Sequence, residues 1–257
     1  MKKTTILAVQ IALAFSLAAC SKKDEAPAGT PAASATPAAP AAASATPASL
    51  ADLQNPDAVN KAVAATLPKG DPATPLNAYR KIDSGHQVMF MYYALSNMPA
   101  PYDEIAKTYS DEYRRTSDSF KQRDILKALQ PRIDGEIAGA KNGRYVVVDQ
   151  QDSRLLQRYD FEKKSFALND FSDDRYTFFN DNSQYTLATT NAADFSAFKV
   201  TDEARAREIE GYLSSYKPLR LETYAYAQDA DPSNRRIKLQ VMKVRLLDAR
   251  GTVLAEM

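Results

Sequence analysis

Two residue types with versatile chemistry occur once each in this chain of 257 residues, as Cys20 and His86. A thiol can be acylated, oxidised or bound to a metal, and an imidazole can act as a base or a metal ligand. One cysteine cannot form a disulfide within the chain or a thiolate cluster around zinc. One histidine excludes the two-histidine zinc motifs. We therefore predict no metal site and no cofactor.

Carboxylates are the other groups that could do chemistry. Asp170, Asp173 and Asp174 lie close together, and Asp181 follows among further turn-forming residues. Two carboxyl groups about 5–10 Å apart could hydrolyse a glycosidic bond without histidine. The same oxygens could bind calcium, but the glycine and glutamate that helix-loop-helix calcium loops require do not occur in register. Aspartate is also common between short strands, so we predict turns here.

His86 lies two residues after Ser84, in the first turn of a predicted helix. Nucleophilic catalysis would require the imidazole beside a serine and an acid. The chain has no Gly-x-Ser-x-Gly segment to present such a serine. We therefore predict no catalytic residue.

The first twenty residues have the organisation of an export signal. A short basic start, Lys2-Lys3, precedes an apolar run over residues 6–17, and small residues then lead to Cys20. The run is too short for a stable bilayer span, which takes about 20 apolar residues. The segment Leu17-Ala18-Ala19-Cys20 resembles the lipobox of bacterial lipoprotein signal peptides. An ordinary signal peptide or an N-terminal anchor helix is the alternative.

The lipoprotein resemblance implies a definite modification. Residues 1–19 would be removed, the Cys20 sulfur would carry a diacylglyceryl group, and the new amine would be acylated with a fatty acid such as palmitate. Several acyl chains anchor a protein permanently, because each buried methylene contributes about 0.8 kcal/mol. An aspartate directly after the cysteine resembles an inner-membrane retention signal. Here Ser21 occupies that position, which favours the outer membrane. We expect a cell-envelope protein that faces the periplasm and is attached to its partner, the membrane, through this lipid.

Charge and composition divide the rest of the chain. With 33 basic and 32 acidic residues, the chain lacks the basic surplus of a nucleic-acid-binding protein. Residues 20–50 follow the cut and are dominated by alanine, proline, threonine and serine, which predicts a disordered linker. Residues 51–257 then form one predicted domain, helical over 51–143 and mostly strands over 144–257.

Apolar spacing predicts the first two helices. Apolar residues recur at helical spacing over residues 58–67, and Pro68 ends that pattern. The apolar run over residues 88–95 fits a buried helix or a buried strand. Because Ser84 can cap a helix and Pro99 can close it, we predict a helix.

Two more helices complete the helical section. Apolar and aromatic residues over 102–113 form a helical stripe, and another helix begins near Ser117. The last helix should have Phe120 on its buried face, kink at Pro131 and end at Asn142-Gly143.

The apolar period then changes from that of helices to that of strands. A helix capped by Thr201 should interrupt the strands and end before Pro218. Residues 219–228 and 237–246 form the best hairpin, in which a bulge near Val241-Met242 would keep the apolar side chains on one face. The predicted strands are 145–148, 154–161, 164–168, 175–179, 184–190, 195–200 and the two hairpin strands, with a short strand after Gly251. Helices first and strands later indicate an α+β fold with a mainly antiparallel sheet.

The helical section resembles an uncharacterised domain of proteobacterial envelope proteins. The similarity is carried by Ser84-Gly85, Tyr92-Tyr93-Ala94-Leu95-Ser96, Tyr102, Ile105-Ala106, Tyr113, Phe120, Asp124, Leu126-Lys127-Ala128-Leu129 and Pro131. That family has no established activity, so the resemblance implies the location and no catalytic residue.

Aromatic side chains are numerous, with 14 tyrosines and 10 phenylalanines. Tyr224 and Tyr226 fall on the polar face of their predicted strand, where they could form an exposed pair for a ligand or partner. A half-buried position on the sheet is the alternative. Met89, Met91 and Met98 could line an adaptable groove, although methionine at helical spacing is usually part of a core.

Two functions therefore remain open. The first is a lipid-anchored binding or structural domain without catalysis, whose partner is an envelope protein or the cell wall. The second is an envelope hydrolase of cell-wall glycan that uses paired carboxylates from among Asp170, Asp173, Asp174 and Asp181.

Overall fold

The computed structural model describes residues 56–257 apart from Asp174, and for residues 56, 57 and 59–61 it describes the backbone alone. Its helices are α1 (Pro56–Thr66), α2 (Gly85–Ser96), α3 (Tyr102–Tyr109), α4 (Asp111–Arg115), α5 (Ser119–Asn142) and α6 (Glu203–Ser214). Its strands are β1 (Arg80–Ile82), β2 (Tyr145–Asp152), β3 (Ser165–Ala167), β4 (Tyr176–Thr177), β5 (Thr186–Thr189), β6 (Ala197–Lys199), β7 (Leu219–Asp231), β8 (Arg236–Leu247) and β9 (Val253–Glu256). Cys20 and the predicted linker lie outside the described residues.

Seven of the described strands form one sheet, in the order β1-β2-β7-β8-β5-β4, with β9 also paired to β8. The pairs β1–β2 and β5–β8 are parallel, and the other pairs of this sheet are antiparallel. Strands β3 and β6 form a separate antiparallel pair. A helical section followed by a mainly antiparallel sheet, with α6 inserted among the strands, confirms the predicted α+β class.

The hairpin of β7 and β8 has the predicted bulge. Tyr224 pairs with Lys243 and Ala225 pairs with Val241, so Met242 is the extra residue. A second register shift occurs beside Gln228. Because a bulge inserts one residue into a strand with a period of two, the apolar side chains before and after Met242 stay on one face.

One face of the sheet carries the core in two clusters. Over the first, α2 contacts β5, β7 and β8, and α5 packs against α2. Over the second lie α6 and the β3–β6 pair. Strand β7 contributes to both, with Leu219 and Leu221 in the second cluster and Ala225 and Ala227 in the first. The long strands therefore join the two clusters.

Capping residues explain two departures from the predicted helices. The stripe over 102–113 is divided into α3 and α4 because the Ser110 backbone is extended and its hydroxyl caps α4 by accepting a hydrogen bond from the Tyr113 amide. Helix α6 is capped by Asp202, whose carboxylate accepts from the Ala204 amide, so the prediction of Thr201 is wrong by one residue.

Three further predictions are wrong in detail. Phe120 is 71% exposed on the first turn of α5, while Ile133 and Ala140 are the buried residues of that helix. Residues 154–161 form no strand and contribute only isolated bridges at Leu156 and Asp160. Strand β1 lies within the section that the sequence predicts to be helical. Its three residues, paired in parallel with β2, are too few to show an alternating pattern, so the sequence does not predict this strand.

Candidate functional site

Ser84, His86 and Asp181 meet at the start of α2. Ser84 is the N-cap residue, and its hydroxyl oxygen accepts a hydrogen bond from the His86 amide at 3.1 Å. Asp181, in the loop between β4 and β5, accepts from the Ser84 hydroxyl at 2.5 Å and from the Gly85 amide at 2.8 Å. A carboxylate at this position also interacts favourably with the positive end of the helix dipole. The cluster thus fastens the loop to the helix.

The His86 ring joins the same loop to α3. Its Nδ1 lies 2.9 Å from Asp181 Oδ2, and its Nε2 lies 3.0 Å from the carbonyl oxygen of Thr108. Both partners are hydrogen-bond acceptors, so both hydrogen bonds form together only when both ring nitrogens carry a proton. Ser84 donates to the carboxylate and not to the imidazole. The three residues therefore lack the serine–histidine contact of a nucleophilic triad, and their arrangement is that of a clamp.

Asp181 is strongly favoured in its ionised form. Partial burial by itself raises the pKa of Asp181, but the hydrogen bonds from Ser84, Gly85 and His86 outweigh it and lower the pKa to about 2, from 3.8. The folded protein therefore releases this proton more readily than the unfolded chain does.

This difference predicts a specific loss of stability in acid. Because the folded pKa is depressed, the contribution of Asp181 is complete above its unfolded pKa and disappears as the pH falls from about 4 to about 2. The side chain is 39% exposed, so solvent screening reduces the contribution to about 1 kcal/mol. Urea unfolding at pH 7 and pH 2.5 should show Asp181→Asn destabilised relative to wild type at pH 7, with a deficit less than half as large at pH 2.5, where the folded pKa of about 2 leaves Asp181 still partly ionised. Asp124→Asn, on the exposed face of α5, should show no such pH-dependent difference. An Asp181→Asn deficit as large at pH 2.5 as at pH 7 would contradict the assignment.

The described aspartates of the acidic stretch each have a different partner. Asp170 forms an ion pair with Arg175 at 2.5 Å, Asp173 accepts from the Ala193 amide at 3.2 Å, and Asp181 belongs to the clamp. Asp174 lies outside the described residues. Within residues 56–257 other than Asp174, no group of three or more histidine, cysteine, aspartate or glutamate side chains could hold a metal ion.

Tyr224 and Tyr226 do not form an exposed pair. Tyr224 is only 7% exposed: its hydroxyl donates to Glu222 at 2.8 Å, and the Tyr79 ring packs edge-on with its centroid 5.2 Å away. Tyr226 is half-buried beneath the Arg144 guanidinium, which lies 4.7 Å from the ring centroid. The buried or half-buried position on the sheet, which was the alternative for these two residues, is the one observed, and the two rings support the segment that covers this face.

The covering segment, residues 67–79, holds α1 above the polar face of the sheet. The Gly70 amide donates to Gln240 at 2.9 Å, and the Gln228 side chain donates to the Pro68 carbonyl at 2.9 Å. A Cβ at Gly70 would lie 2.7 Å from the Tyr226 Cβ, so only glycine allows this close approach.

Two hollows accompany these elements. The first, of about 50 Å³, lies between the two core clusters beside Thr223 and has room for only a few water molecules. The second is a cleft of about 600 Å³ between α1 and the polar face of β5 and β8, a size typical of ligand sites. We refer to this second hollow as the α1 cleft.

The methionines do not line the α1 cleft. Met89 and Met91 are buried in the first core cluster, and Met98 is 47% exposed after α2. The α1 cleft itself gave no sequence signal, because its walls come from segments far apart in the chain.

Comparisons with known proteins add no relative. No family model matches the chain, and no curated protein or solved structure matches it. No helix in the described part of the chain is long and apolar enough to cross a membrane.

Proposed function

We propose that the chain is a lipid-anchored protein of a bacterial cell envelope, held in the outer membrane and facing the periplasm. The support is the segment Leu17-Ala18-Ala19-Cys20 at the end of a basic and apolar leader. The alanine- and proline-rich linker over residues 20–50 would let the folded domain work at a distance from the lipid surface, because proline-rich chains remain extended.

The folded domain would act by binding and not by catalysis. The observation that carries this part is the α1 cleft, whose volume of about 600 Å³ lies within the range of about 300–1,000 Å³ common for ligand sites. The alternative, a hydrolase with paired carboxylates, has no comparable support, because Asp170, Asp173 and Asp181 each have separate partners.

Acylation at Cys20 provides the test. Cells that produce the full chain are supplied with labelled palmitate, and the purified protein is measured by mass spectrometry. We expect wild type to carry the label and to lack residues 1–19, whereas Cys20→Ser should carry no label and keep its leader. Ser21→Ala, one residue further on, should be acylated like wild type. Unlabelled wild type, or a labelled Cys20→Ser protein, would refute the lipid anchor.

A further inference from the structure

One wall of the α1 cleft is apolar. It is formed by the side of α1 and the residue that follows it, including Val63, Ala64 and Leu67. The sequence pattern predicts that this stripe should be buried, yet Val63 is 44% exposed. An amphipathic helix normally covers its apolar side with a core. Here that side faces the open cleft. A bound molecule with an apolar portion would therefore bury this apolar surface, which the protein itself leaves exposed.

The neutral polar groups of the opposite wall bind parts of the protein itself. Gln240 accepts from the Gly70 amide, and Gln228 donates to Pro68 and accepts from the Thr190 hydroxyl at 2.6 Å. Asn191 both accepts from and donates to the backbone of Val241. These side chains hold the scaffold together, and of them Gln240 keeps the two N–H groups of its amide without a partner in the described part of the chain.

Cations supply the charged donors of the cleft. Arg236 and Lys238 project from β8 and are half-buried, and Lys69 stands exposed at the rim. Among the described residues, none of the three lies within 4.0 Å of a carboxylate oxygen. The Arg236 guanidinium lies over the Tyr176 ring, 5.5 Å from its centroid, and its Nε is buried with no hydrogen-bond partner in the described part of the chain. An acceptor on a ligand would reach the terminal nitrogens of Arg236 and not its buried Nε, and would form a charge-assisted hydrogen bond there.

The acidic side chains that line the cleft do not supply that acceptor. Asp231 stands opposite Arg236 in the hairpin and interacts electrostatically with Lys238, but its two oxygens accept from the Ser233 amide and the Asn234 side chain of its own turn. Asp173 accepts from the Ala193 amide, and Asp194 is exposed. Arg236 and Lys238, beside the apolar wall, therefore keep donors with which an anionic group can pair.

We propose that the α1 cleft binds a single-chain amphiphile that carries a carboxylate or phosphate group. Its apolar chain packs against Val63 and Leu67, and its anionic group accepts hydrogen bonds from Arg236 and Lys238. The proposal rests on the proposed binding function and specifies its ligand. A free single-chain molecule is favoured over a bilayer surface, because the cationic wall lies beneath α1 and would not reach a flat surface.

Three small probes test the apolar part and the anionic part of such a ligand independently. Calorimetric titration of the full chain carrying Cys20→Ser, which leaves it free of acyl groups, would compare octanoate, 1-octanol and acetate. We expect octanoate to bind about tenfold or more tightly than either partial probe, because only octanoate makes both the apolar contact and the charge-assisted hydrogen bonds. Equal affinity for 1-octanol, or no binding of octanoate, would overturn the proposal.

Variants then locate the site. Arg236→Gln and Lys238→Gln should each weaken octanoate binding about tenfold, while affinity for 1-octanol stays the same. Val63→Asp should weaken both. Lys127→Gln, which removes an exposed cation from α5, should leave both affinities unchanged and serves as the matched control. Octanoate binding that Arg236→Gln and Lys238→Gln both leave intact would show that the ligand lies elsewhere.

A vesicle measurement distinguishes the source of the anionic amphiphile. If the same protein sediments with phosphatidylglycerol vesicles through Arg236 and Lys238 but does not bind octanoate, the occupant is a membrane surface and the proposal is wrong. Failure of the palmitate experiment would remove the lipid anchor and leave the octanoate result standing, so the two failures can be told apart.

Discussion

Gly85→Ala should destabilise the folded protein by about 3 kcal/mol, because an added methyl group has no space at the start of α2. A Cβ at Gly85 would overlap the carbonyl oxygen, carbonyl carbon and Cα of Asn182. These are backbone atoms of the loop that Asp181 fastens to the helix, so they cannot rotate away as the end of a long side chain could. Either the loop must lift or α2 must shift, and both movements break hydrogen bonds of the clamp.

Glycines elsewhere in the helices provide the matched control. Gly135 and Gly139 lie within α5, and a Cβ at either position would meet nothing within 4 Å. Alanine there should stabilise the protein by about 0.5–1 kcal/mol, since alanine restricts the unfolded chain and favours a helix. Urea unfolding of all three variants measures the difference. A Gly85→Ala protein as stable as wild type would show that the loop does not pack on α2 as described.

The same contact can be tested by a double substitution. If Gly85→Ala acts by displacing the loop, it also removes the hydrogen bonds of Asp181. The combined Gly85→Ala and Asp181→Asn protein should then lose less stability than the two single variants together, because residues that share a contact are not additive. Strict additivity would mean that the two substitutions disturb different parts of the fold.

Features with a local physical cause could be predicted from the sequence. Ser84 caps α2 as expected, because a serine hydroxyl three residues before Gln87 can complete a capping box within one turn. The bulge at Met242 was also predictable, since the apolar positions of β8 change phase at that residue. In each case the pattern and the contact lie within a few residues of one another.

Features that depend on distant contacts could not be predicted. His86 and Asp181 are 95 residues apart, and neither has a neighbour in the sequence that indicates the other. Tyr224 occupies an outward position of β7, and its burial depends on Tyr79 from the covering segment. The apolar stripe of α1 was recognised, but where that stripe faces is decided by the hydrogen bonds of Gly70 and Gln228. The α1 cleft therefore appeared only with the structure.

Phe198→Ala should cost about 4 kcal/mol of unfolding free energy, because it opens a cavity in the second core cluster. Phe198 on β6 pairs directly with Phe166 on β3, and both side chains are fully buried. Nothing in so short a strand pair could shift to fill the space without breaking its hydrogen bonds. Phe161→Ala is the matched control: Phe161 is 83% exposed, and its removal should change stability by less than about 0.5 kcal/mol.

Whether unfolding occurs in one cooperative transition or in two is a second test of the core. Strand β7 belongs to both clusters, through Leu219 and Leu221 in the second and Ala225 and Ala227 in the first. Loss of stability in the second cluster should therefore also destabilise the first cluster and its helices. We therefore expect Phe198→Ala to shift one cooperative transition, recorded alike by far-ultraviolet circular dichroism and tyrosine fluorescence. If the two signals separate, the second cluster unfolds by itself, and the two halves of the core are joined less firmly than the continuous strands imply.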